Sequence, residues 1–404
     1  MRRDDFPQLS DTVYGKPLVY LDNAATTQRP RAMVEAMTEA YYHCNANIHR
    51  GVHHLSQQAT LQHEAARKRV AEFVGAHSEK EIIFTKGTTD SINMLAFAFG
   101  EAMVNQGDEI IVSHLEHHSN IVPWQMLCQR KGATLKVLPL KADLTIDTAA
   151  LEGLITKRTR LVSVAQVSNV LGTIQPVEQV IRLAHSRQVP VCIDGAQAAP
   201  HLKVNVQELD CDFYVCSAHK MYGPTGVGIL YGKEEWLNRL PPAQGGGEMI
   251  EHVRFDNTTY NVLPYKFEAG TPDFIGSRAF AAALDYIDAI GRDAVYAYED
   301  ELTGYLEQQL SAIPEVHVYA PGTRKAGAVS FNIYQGDRLI HPFDIGTLLD
   351  RQGVAVRTGH HCAEPLIDYL GIPGTVRASI ALYNDRADVN QLCTALRRAI
   401  MMLA

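Results

Sequence analysis

Residues 212–226 of this 404-residue chain read DFYVCSAHKMYGPTG. The apolar run Phe213–Cys216 predicts a strand that is buried on both faces, and Lys220 follows where that strand should end. Between about residues 80 and 230, similar short runs rich in Val and Ile alternate with helical patterns. This alternation predicts an α/β domain whose mostly parallel sheet is covered by helices on both sides. Ligands of such sheets bind at the carboxyl ends of the strands, so the side chains there are the first candidates for a site.

A second unit with a different pattern follows this domain. Residues 241–272 are rich in Gly and Pro and predict a loop region, and residues 280–310 predict a long helical stretch. Strand and helix patterns alternate in the segments that follow, which are EVHVYAP, AGAVSFNI, FDIGTLLDRQG, VAVRTG, VRASIALYN and RADVNQLCTALRRAIMM. We predict three parts: residues 1–17, a segment that packs with the small domain; residues 18–285, the large domain; and residues 286–404, a smaller α+β domain.

Composition and charge narrow the classes of function. The chain is 46% hydrophobic and 20% charged, with a formal net charge of -8, which are values of a compact globular protein. It has no basic field suited to nucleic acid or to an anionic membrane, so neither partner is expected. No apolar run reaches the roughly 18 residues of a membrane span, and the cytoplasm is the expected location. The seven cysteines are scattered without C-x-x-C pairs, which favours reduced thiols.

Lys220 and Asp194 follow two predicted strands and have both an ordinary and a chemical interpretation. A lysine is usually a solvated surface charge, and an aspartate at a strand-to-helix turn is often a helix cap. A lysine at a ligand-binding edge can also hold an aldehyde cofactor as a Schiff base. Pyridoxal phosphate additionally needs a carboxylate against its pyridine nitrogen, which Asp194 can supply, and Gln197 can hydrogen-bond the ring hydroxyl.

A phosphate site is predicted where KGTTDSIN, residues 86–93, opens a helix after the strand EIIFT. Threonines often cap helices for structural reasons alone, but the N–H groups at a helix N-terminus also bind phosphate. Thr88 and Thr89, together with Ser217 and His219 beside the lysine, supply the third anchor of the same cofactor.

His117 and His118 follow the predicted strand DEIIVS. Paired histidines suggest a metal site, but no carboxylate or cysteine stands beside them at ligand spacing, and zinc needs three or four converging groups. We therefore predict no metal. An imidazole placed over the cofactor ring can stack on it and relay a proton, with a pKa expected near neutrality.

Nine segments, taken in order along the chain, carry a resemblance to a known family. They are LDNAATTQRP, NIHRGVHHLS, KGTTDSIN, LEHHSNIVPWQ, VSNVLGT, DGAQ, SAHKMYGPTGVGILYG, FEAGTP and RTGHHCAEPL. From about residue 10 to its C-terminus the chain resembles the group II cysteine desulfurases of the SufS type, also called selenocysteine lyases. The resemblance implies a fold-type I pyridoxal 5'-phosphate enzyme with a large cofactor-binding domain and a small C-terminal domain that carries the catalytic cysteine loop.

The resemblance also implies roles for the residues at matching positions. The cofactor would be held by Lys220, Asp194, Gln197, His117, Thr88, Thr89, Ser217 and His219. In this family the threonine of EAGTP, here Thr271, reaches the phosphate of the neighbouring subunit, which implies a homodimer. Substrate would be bound by Asn169, Arg357 and Arg377, and His49 would line the site without an assigned chemical role. Arginine suits this task because its donors pair with a carboxylate in a bidentate way.

Cys362, in RTGHHCAEPL, is predicted to be a nucleophile. Cysteines are most often buried and inert, and a metal site is the other alternative, but three adjacent side chains do not easily converge on one ion. The segment is polar and loop-like, with flanking groups that favour a thiolate. Glu364 acts in the opposite direction, since a nearby carboxylate should raise the pKa of the thiol.

The resemblance implies that L-cysteine is converted to L-alanine, with its sulfur transferred to Cys362 as a persulfide. Because the loop is short, a SufE- or SufU-like acceptor protein would have to come to the thiol and take the sulfur for iron–sulfur cluster assembly. L-Selenocysteine would be a second substrate.

Two alternatives remain open from the residues alone. An aminotransferase, a kynureninase-like hydrolase or a β-lyase on the same fold would also need Lys220 and Asp194, but would not need the loop thiol. A metal or sulfur carrier without enzymatic activity would instead use HHC and EHH as ligands.

Overall fold

The computed structural model describes residues 2–403. Its strands are β1 Thr12–Val13, β2 Lys16–Pro17, β3 Val19–Tyr20, β4 Ile82–Thr85, β5 Glu109–Ser113, β6 Thr134–Leu138, β7 Thr159–Ala165, β8 Val191–Asp194, β9 Phe213–Ser217, β10 Gly228–Gly232, β11 Ile250–Val253, β12 Thr258–Tyr260, β13 Val316–Val318, β14 Ala328–Gln335, β15 Arg338–Ile340, β16 Val354–Ala355, β17 Arg357–Gly359 and β18 Thr375–Ser379. Its α-helices are α1 Arg31–His43, α2 His54–Val74, α3 Thr88–Met103, α4 Val122–Lys131, α5 Thr148–Leu154, α6 Val177–Ser186, α7 Val206–Leu209, α8 Glu234–Arg239, α9 Phe274–Ile290, α10 Arg292–Ser311, α11 Pro342–Asp350, α12 Glu364–Leu370 and α13 Arg386–Leu403.

The large domain is built on a seven-stranded sheet in the order β4-β10-β9-β8-β7-β5-β6. Strand β10 runs antiparallel to both of its neighbours, and the other pairings are parallel. This confirms the predicted α/β class and the mostly parallel sheet.

Both faces of the sheet are buried, as the apolar runs predict. In β9, Phe213 and Val215 join the core formed with α3 and α4, whereas Tyr214 and Cys216 join the core formed with α2, α6 and α9. A strand that alternates between two cores has no polar face, which explains why its sequence is continuously apolar. Cys216 is buried in this strand, where it serves as a small core residue.

Parallel pairing brings the carboxyl ends of three strands together. Ala165 at the end of β7 pairs with Asp194 at the end of β8, and Asp194 pairs with Val215 of β9. The chain leaves β9 through a short 3-10 helix, Ala218–Lys220. Asp194 and Lys220 therefore occupy the same edge of the sheet because of the sheet's topology.

The small domain packs the sheet β13-β14-β18-β17 against α10, α11 and α13. Strand β3 also belongs to this domain, since it pairs in parallel with β16 and Val19 lies in the same core. The N-terminal segment reaches the small domain through an ion pair between Arg3 and Asp388 at 3.0 Å. Helix α9 packs with the large domain and ends before Gly291, and the division of the chain at residues 285 and 286 stays a prediction.

Two local features differ from the sequence-based expectations. The Gly/Pro-rich region 241–272, expected to be a loop, contains the antiparallel hairpin of β11 and β12. The long helical stretch is two helices, interrupted at Gly291 with a φ of 100°, a conformation that glycine adopts far more readily than other residues.

The length and apolar character required to cross a bilayer are not combined in any helix of residues 2–403.

A buried ion pair fixes the segment that contains Thr271. Arg67 of α2 is fully buried, and its Nη1 and Nη2 donate to the two carboxylate oxygens of Glu268 at 2.6 and 2.9 Å. The Phe84 N–H also donates to Glu268 at 2.7 Å. Arg67 Nε also donates to Glu64 Oε2 at 3.0 Å, but Glu64 is partly exposed, so removal of Glu268 takes away the buried bidentate partner of the guanidinium.

We predict that Glu268→Ala lowers the free energy of unfolding by about 3–5 kcal/mol, because buried Arg67 loses its bidentate partner and the Phe84 N–H loses its acceptor. Chemical denaturation of the cofactor-loaded protein measures the change. Glu301→Ala is the matched control, since Glu301 pairs with Arg386 on the surface and should cost less than about 1 kcal/mol. Equal effects of the two substitutions would contradict the prediction.

Candidate active site

A cleft of about 740 Å³ opens at the carboxyl edge of the large sheet and is lined by both domains. The large domain contributes strand-end residues, and the small domain contributes β17, β18 and the loop after β17. Most of the predicted site residues line it, namely Thr88, Thr89, His117, Asn169, Asp194, Gln197, Ser217, His219, Lys220, Arg357 and Arg377. Segments far apart in sequence thus form one site, as the strand-end argument predicted.

Lys220 is half-buried on the floor of the cleft. Burial lowers the pKa of Lys220 to about 8, with Arg377 and Arg357 acting in the same direction and Asp194 opposing them. The uncharged fraction of this amine near neutral pH is therefore small, but far larger than that of an ordinary lysine. An uncharged amine is the form that attacks an aldehyde and that accepts a proton.

Asp194 is 5% exposed, and only one of its carboxylate oxygens is bonded. Oδ1 accepts the Ala196 N–H at 2.9 Å, whereas Oδ2 has no hydrogen-bond partner among residues 2–403. Burial raises the pKa of Asp194, so the carboxylate requires a cationic partner to remain charged. A protonated pyridine nitrogen meets this requirement, and the site therefore fits pyridoxal phosphate.

The predicted phosphate anchor is assembled where α3 begins. The Thr88 N–H donates to Ser217 Oγ at 2.8 Å, and the two side-chain oxygens are also 2.8 Å apart. Strand β10 packs closely against the start of α3 because residue 228 is a glycine. A Cβ added to Gly228 would lie 2.4 Å from the Cα of Gly87, the residue before Thr88. The N-terminal N–H groups of α3 and these hydroxyls suit a phosphate.

His219 completes the polar end of the cleft. Its Nδ1 lies 3.2 Å from Thr26 Oγ1. Burial, together with the charges of Lys220 and Arg29, lowers the pKa of His219 to about 4. The imidazole is therefore neutral near pH 7 and contributes to the site as a hydrogen-bonding group without charge.

His117 lines the cleft as predicted, but its protonation differs from the expectation. Burial and the neighbouring charges, Lys220 first among them, lower the pKa of His117 to about 3 rather than leaving it near neutrality. Its Nδ1 accepts the Ser119 N–H at 3.1 Å, so the proton of the neutral ring resides on Nε2. The ring is thus a neutral donor in the site.

Two predicted ligands have part of their hydrogen-bonding capacity already occupied. Gln197 Nε2 donates to Ala24 O at 2.7 Å, which leaves Oε1 as its group toward a ring hydroxyl. Asn169 Nδ2 donates to the backbone O of His361 at 2.7 Å. Asn169 therefore contacts the loop that carries Cys362. The sequence predicted Asn169 as a substrate ligand but did not predict this contact.

Arg357 and Arg377 face each other on antiparallel strands, in direct register. Arg377 is 2% exposed; its Nη1 donates to Asn169 O at 2.6 Å and its Nη2 to Asp22 Oδ1 at 3.2 Å. Its Nε is buried without a hydrogen-bond partner in the described part of the chain. Like charges opposite each other on a sheet are unfavourable, so the pair is suited to an anion such as a carboxylate.

Cys362 lies immediately after His361, which lines the cleft. The thiol is half-buried, and Arg357 Nη2 lies 4.0 Å from its Sγ. The guanidinium that faces Arg377 across the strands thus also approaches the sulfur. The Glu364 side chain is exposed, and its carboxylate lies 3.8 Å from His360 Nδ1.

Three predicted residues are not among those that line the cleft: Cys362, which follows the lining residue His361, and also His49 and Thr271. His49 Nε2 lies 2.9 Å from Glu64 Oε1, and its Nδ1 lies 3.6 Å from Glu248. Thr271 borders a separate cavity with the loop before α3, a position that leaves its contact with a neighbouring subunit a prediction.

The structure adds lining residues that the sequence argument did not identify. His361 is 4% exposed, with its Nδ1 buried and unpaired in the described chain, and the Ala24–Ala25 turn also borders the cleft. Both lie in segments that carried the family resemblance, LDNAATTQRP and RTGHHCAEPL, and this was the available signal. Within residues 2–403, no three His, Cys, Asp or Glu side chains come together in a way that could hold a metal ion.

Comparisons with known proteins agree with this arrangement. The sequence model of the aminotransferase class-V family matches residues 19–392. The chain is 48% identical over 402 residues to a cysteine desulfurase of Cronobacter sakazakii, with 99% of this chain and 98% of that protein covered.

Solved structures show the same likeness. The cysteine desulfurase CsdA of Escherichia coli matches with a TM-score of 0.91 and 40% identity, covering 100% of this chain and 98% of that one. A cysteine desulfurase from Thermococcus onnurineus matches with a TM-score of 0.93 and 38% identity, covering 99% and 97%.

The chain therefore belongs to the aminotransferase class-V family, as a pyridoxal phosphate enzyme of the cysteine desulfurase type.

Proposed function

We propose that this enzyme converts L-cysteine to L-alanine and retains the released sulfur as a persulfide on Cys362. The observation that carries the proposal is the position of Arg357. It faces Arg377 across the strands and approaches Cys362 Sγ at 4.0 Å. A substrate whose carboxylate is bound by this pair is held next to the thiol.

The residues described above would hold the cofactor. Lys220 would bond to its aldehyde, Asp194 would pair with the pyridine nitrogen, and Thr88, Thr89, Ser217 and His219 would bind the phosphate. Pyridoxal phosphate, when bound, supplies an electron sink that acidifies the Cα–H bond of an amino acid and weakens its Cβ–S bond.

Lys220 and His117 divide the proton transfers. The amine of Lys220, with its lowered pKa, accepts the Cα proton and returns it. His117 is neutral, so it passes a proton as a relay, giving the proton of Nε2 while Nδ1 receives another. Ser119 Oγ lies 2.8 Å from Nδ1 and is placed to take part in this exchange.

Cys362 supplies the nucleophile. Its thiolate attacks the substrate sulfur, an S–S bond forms, and the Cβ–S bond breaks with its electron pair left on the carbon. A proton on that carbon completes the methyl group of alanine. The overall change is balanced, since one thiol and one cysteine give one persulfide and one alanine, with no external oxidant or reductant.

The fate of the sulfur and the assembly of the enzyme extend the proposal. We infer that an acceptor protein of the SufE or SufU type removes the persulfide sulfur for iron–sulfur cluster assembly, because Cys362 sits in a short, half-buried loop. L-Selenocysteine is a further substrate, a homodimer is the expected assembly through Thr271, and the cytoplasm is the expected location.

We predict that Cys362→Ala forms almost no alanine from L-cysteine in the presence of a thiol reductant, because the substrate sulfur then has no nucleophile to receive it. The absorbance of the bound cofactor should persist and should still change when L-cysteine is added. Quantification of alanine together with the spectrum makes the measurement.

Cys44→Ala is the matched control, since Cys44 and Cys362 are the two cysteines of the described chain that are not buried. This control should retain the parent rate. Full alanine formation by Cys362→Ala would contradict the proposal, because the sulfur would then leave without this thiol. Pyruvate and sulfide in place of alanine, from parent and variant alike, would favour a β-lyase. An absence of alanine from the parent, with a cofactor that responds to other amino acids, would favour an aminotransferase or a hydrolase.

We also predict opposite effects of Arg357→Met on binding and on stability. Loss of a charged hydrogen bond to the carboxylate should raise the KM for L-cysteine about 10- to 100-fold. The free energy of unfolding should not fall, because the substitution removes a like charge from the position opposite Arg377.

Steady-state kinetics and chemical denaturation test the two parts. Arg338→Met is the control, an exposed arginine in the sheet of the same domain, and should leave the KM unchanged. An unchanged KM in Arg357→Met would exclude Arg357 from carboxylate binding.

A further inference from the structure

The loop that carries Cys362 has an unfavourable backbone conformation. His361 and Cys362 have φ angles of 52° and 59°, so two consecutive residues with side chains occupy the left-handed region. Such residues persist only where the surrounding structure holds them, and they concentrate at functional sites. Something must therefore hold this loop in place.

Two donors from the large domain bind the carbonyl groups of these two residues. Asn169 Nδ2 donates to His361 O at 2.7 Å, and the backbone N–H of His118 donates to Cys362 O at 2.7 Å. The loop belongs to the small domain, so both bonds cross the domain boundary. They fix the orientation of the two peptide groups that follow the left-handed residues.

His118 makes a second contact on the other side of the thiol. Its ring Nε2 accepts the backbone N–H of Glu364 at 3.0 Å. Between these two contacts, the Ala363 N–H donates to His360 O at 2.9 Å and closes the turn. His118 therefore binds the loop both at Cys362 and two residues beyond it.

We propose that His118 is a positioning residue that holds the Cys362 loop in the conformation needed for sulfur transfer. His118 is adjacent in sequence to His117, which lines the cleft over the predicted cofactor ring. One residue thus links the segment facing the cofactor to the loop facing the substrate sulfur. The inference rests on the proposed role of Cys362 as the sulfur acceptor.

The chemistry of the ring contact defines the variants that test it. In His118→Phe the ring remains but the acceptor is lost, so the Glu364 N–H loses its partner. In His118→Gln the side-chain Oε1 replaces Nε2 as an acceptor at a similar distance from the backbone. The main-chain bond to Cys362 O remains in both. His77→Asn, at an exposed histidine in the loop that follows α2, is the control.

The first measurement is hydrogen exchange of the cofactor-loaded protein over residues 357–366, which requires no turnover. Exchange should be faster in His118→Phe than in the parent, and parent-like in His118→Gln and His77→Asn. The second is steady-state alanine formation. In His118→Phe the kcat should fall about tenfold with the KM for L-cysteine within about twofold, because the thiol is misplaced while the carboxylate site is intact.

The outcomes separate failure of this inference from failure of the proposed function. Parent-like exchange in His118→Phe would overturn the role of His118 whether or not the enzyme forms alanine. Faster exchange with an unchanged kcat would also overturn it, since the loop would not need to be held. A kcat that His118→Gln fails to restore would show that the acceptor contact is not the cause. Absence of alanine from the parent would count against the proposed function alone.

Discussion

Two arginines that face each other across antiparallel strands are the interaction on which the active site depends. Arg357 and Arg377 lie in direct register on β17 and β18, and the second is almost fully buried. Burial lowers the pKa of Arg377 to about 10, yet it remains charged at neutral pH because Asp22 and the Asn169 carbonyl hold it. One buried N–H, Nε, is left without a partner in the described chain, which makes the pair ready for an anion.

The positive charges of the two arginines act on large-domain residues because both domains line the same cleft, which also contains Lys220 and Asp194. The same two arginines help to lower the pKa of Lys220 to about 8 and of His117 to about 3. The imidazoles of His117 and His219 are therefore uncharged near neutral pH, and the Lys220 amine loses its proton far more readily than an ordinary lysine does. A site of this kind attracts the carboxylate of an amino acid while its amine and imidazole remain available for proton transfer.

The sequence predicts those features that rest on local patterns. The apolar run of β9 and its place in an alternating pattern led to the sheet edge, and with it to Asp194, Ser217 and Lys220. The family resemblance then assigned roles to residues whose patterns were ambiguous, such as Arg377, which the residues alone did not separate from a surface arginine.

The features that sequence could not supply depend on contacts between distant segments. Asn169 and His361 meet across 192 positions of the chain, and no local pattern signals such a bond. The neutral state of His117 likewise follows from burial and from charges gathered by folding. The β11–β12 hairpin lies in a region whose Gly and Pro content predicts turns, and short strands of 4 and 3 residues leave little periodicity to detect.

The most direct test of the account is where the sulfur goes. The cofactor-loaded protein would be mixed with L-cysteine without reductant, alkylated and digested, and the cysteine peptides would be identified by mass spectrometry. The account predicts one additional sulfur atom on the peptide that contains Cys362 and none on the peptide that contains Cys44. Alanine formed without additional sulfur on Cys362 would contradict it, because the Cβ–S bond would then be broken without the thiol.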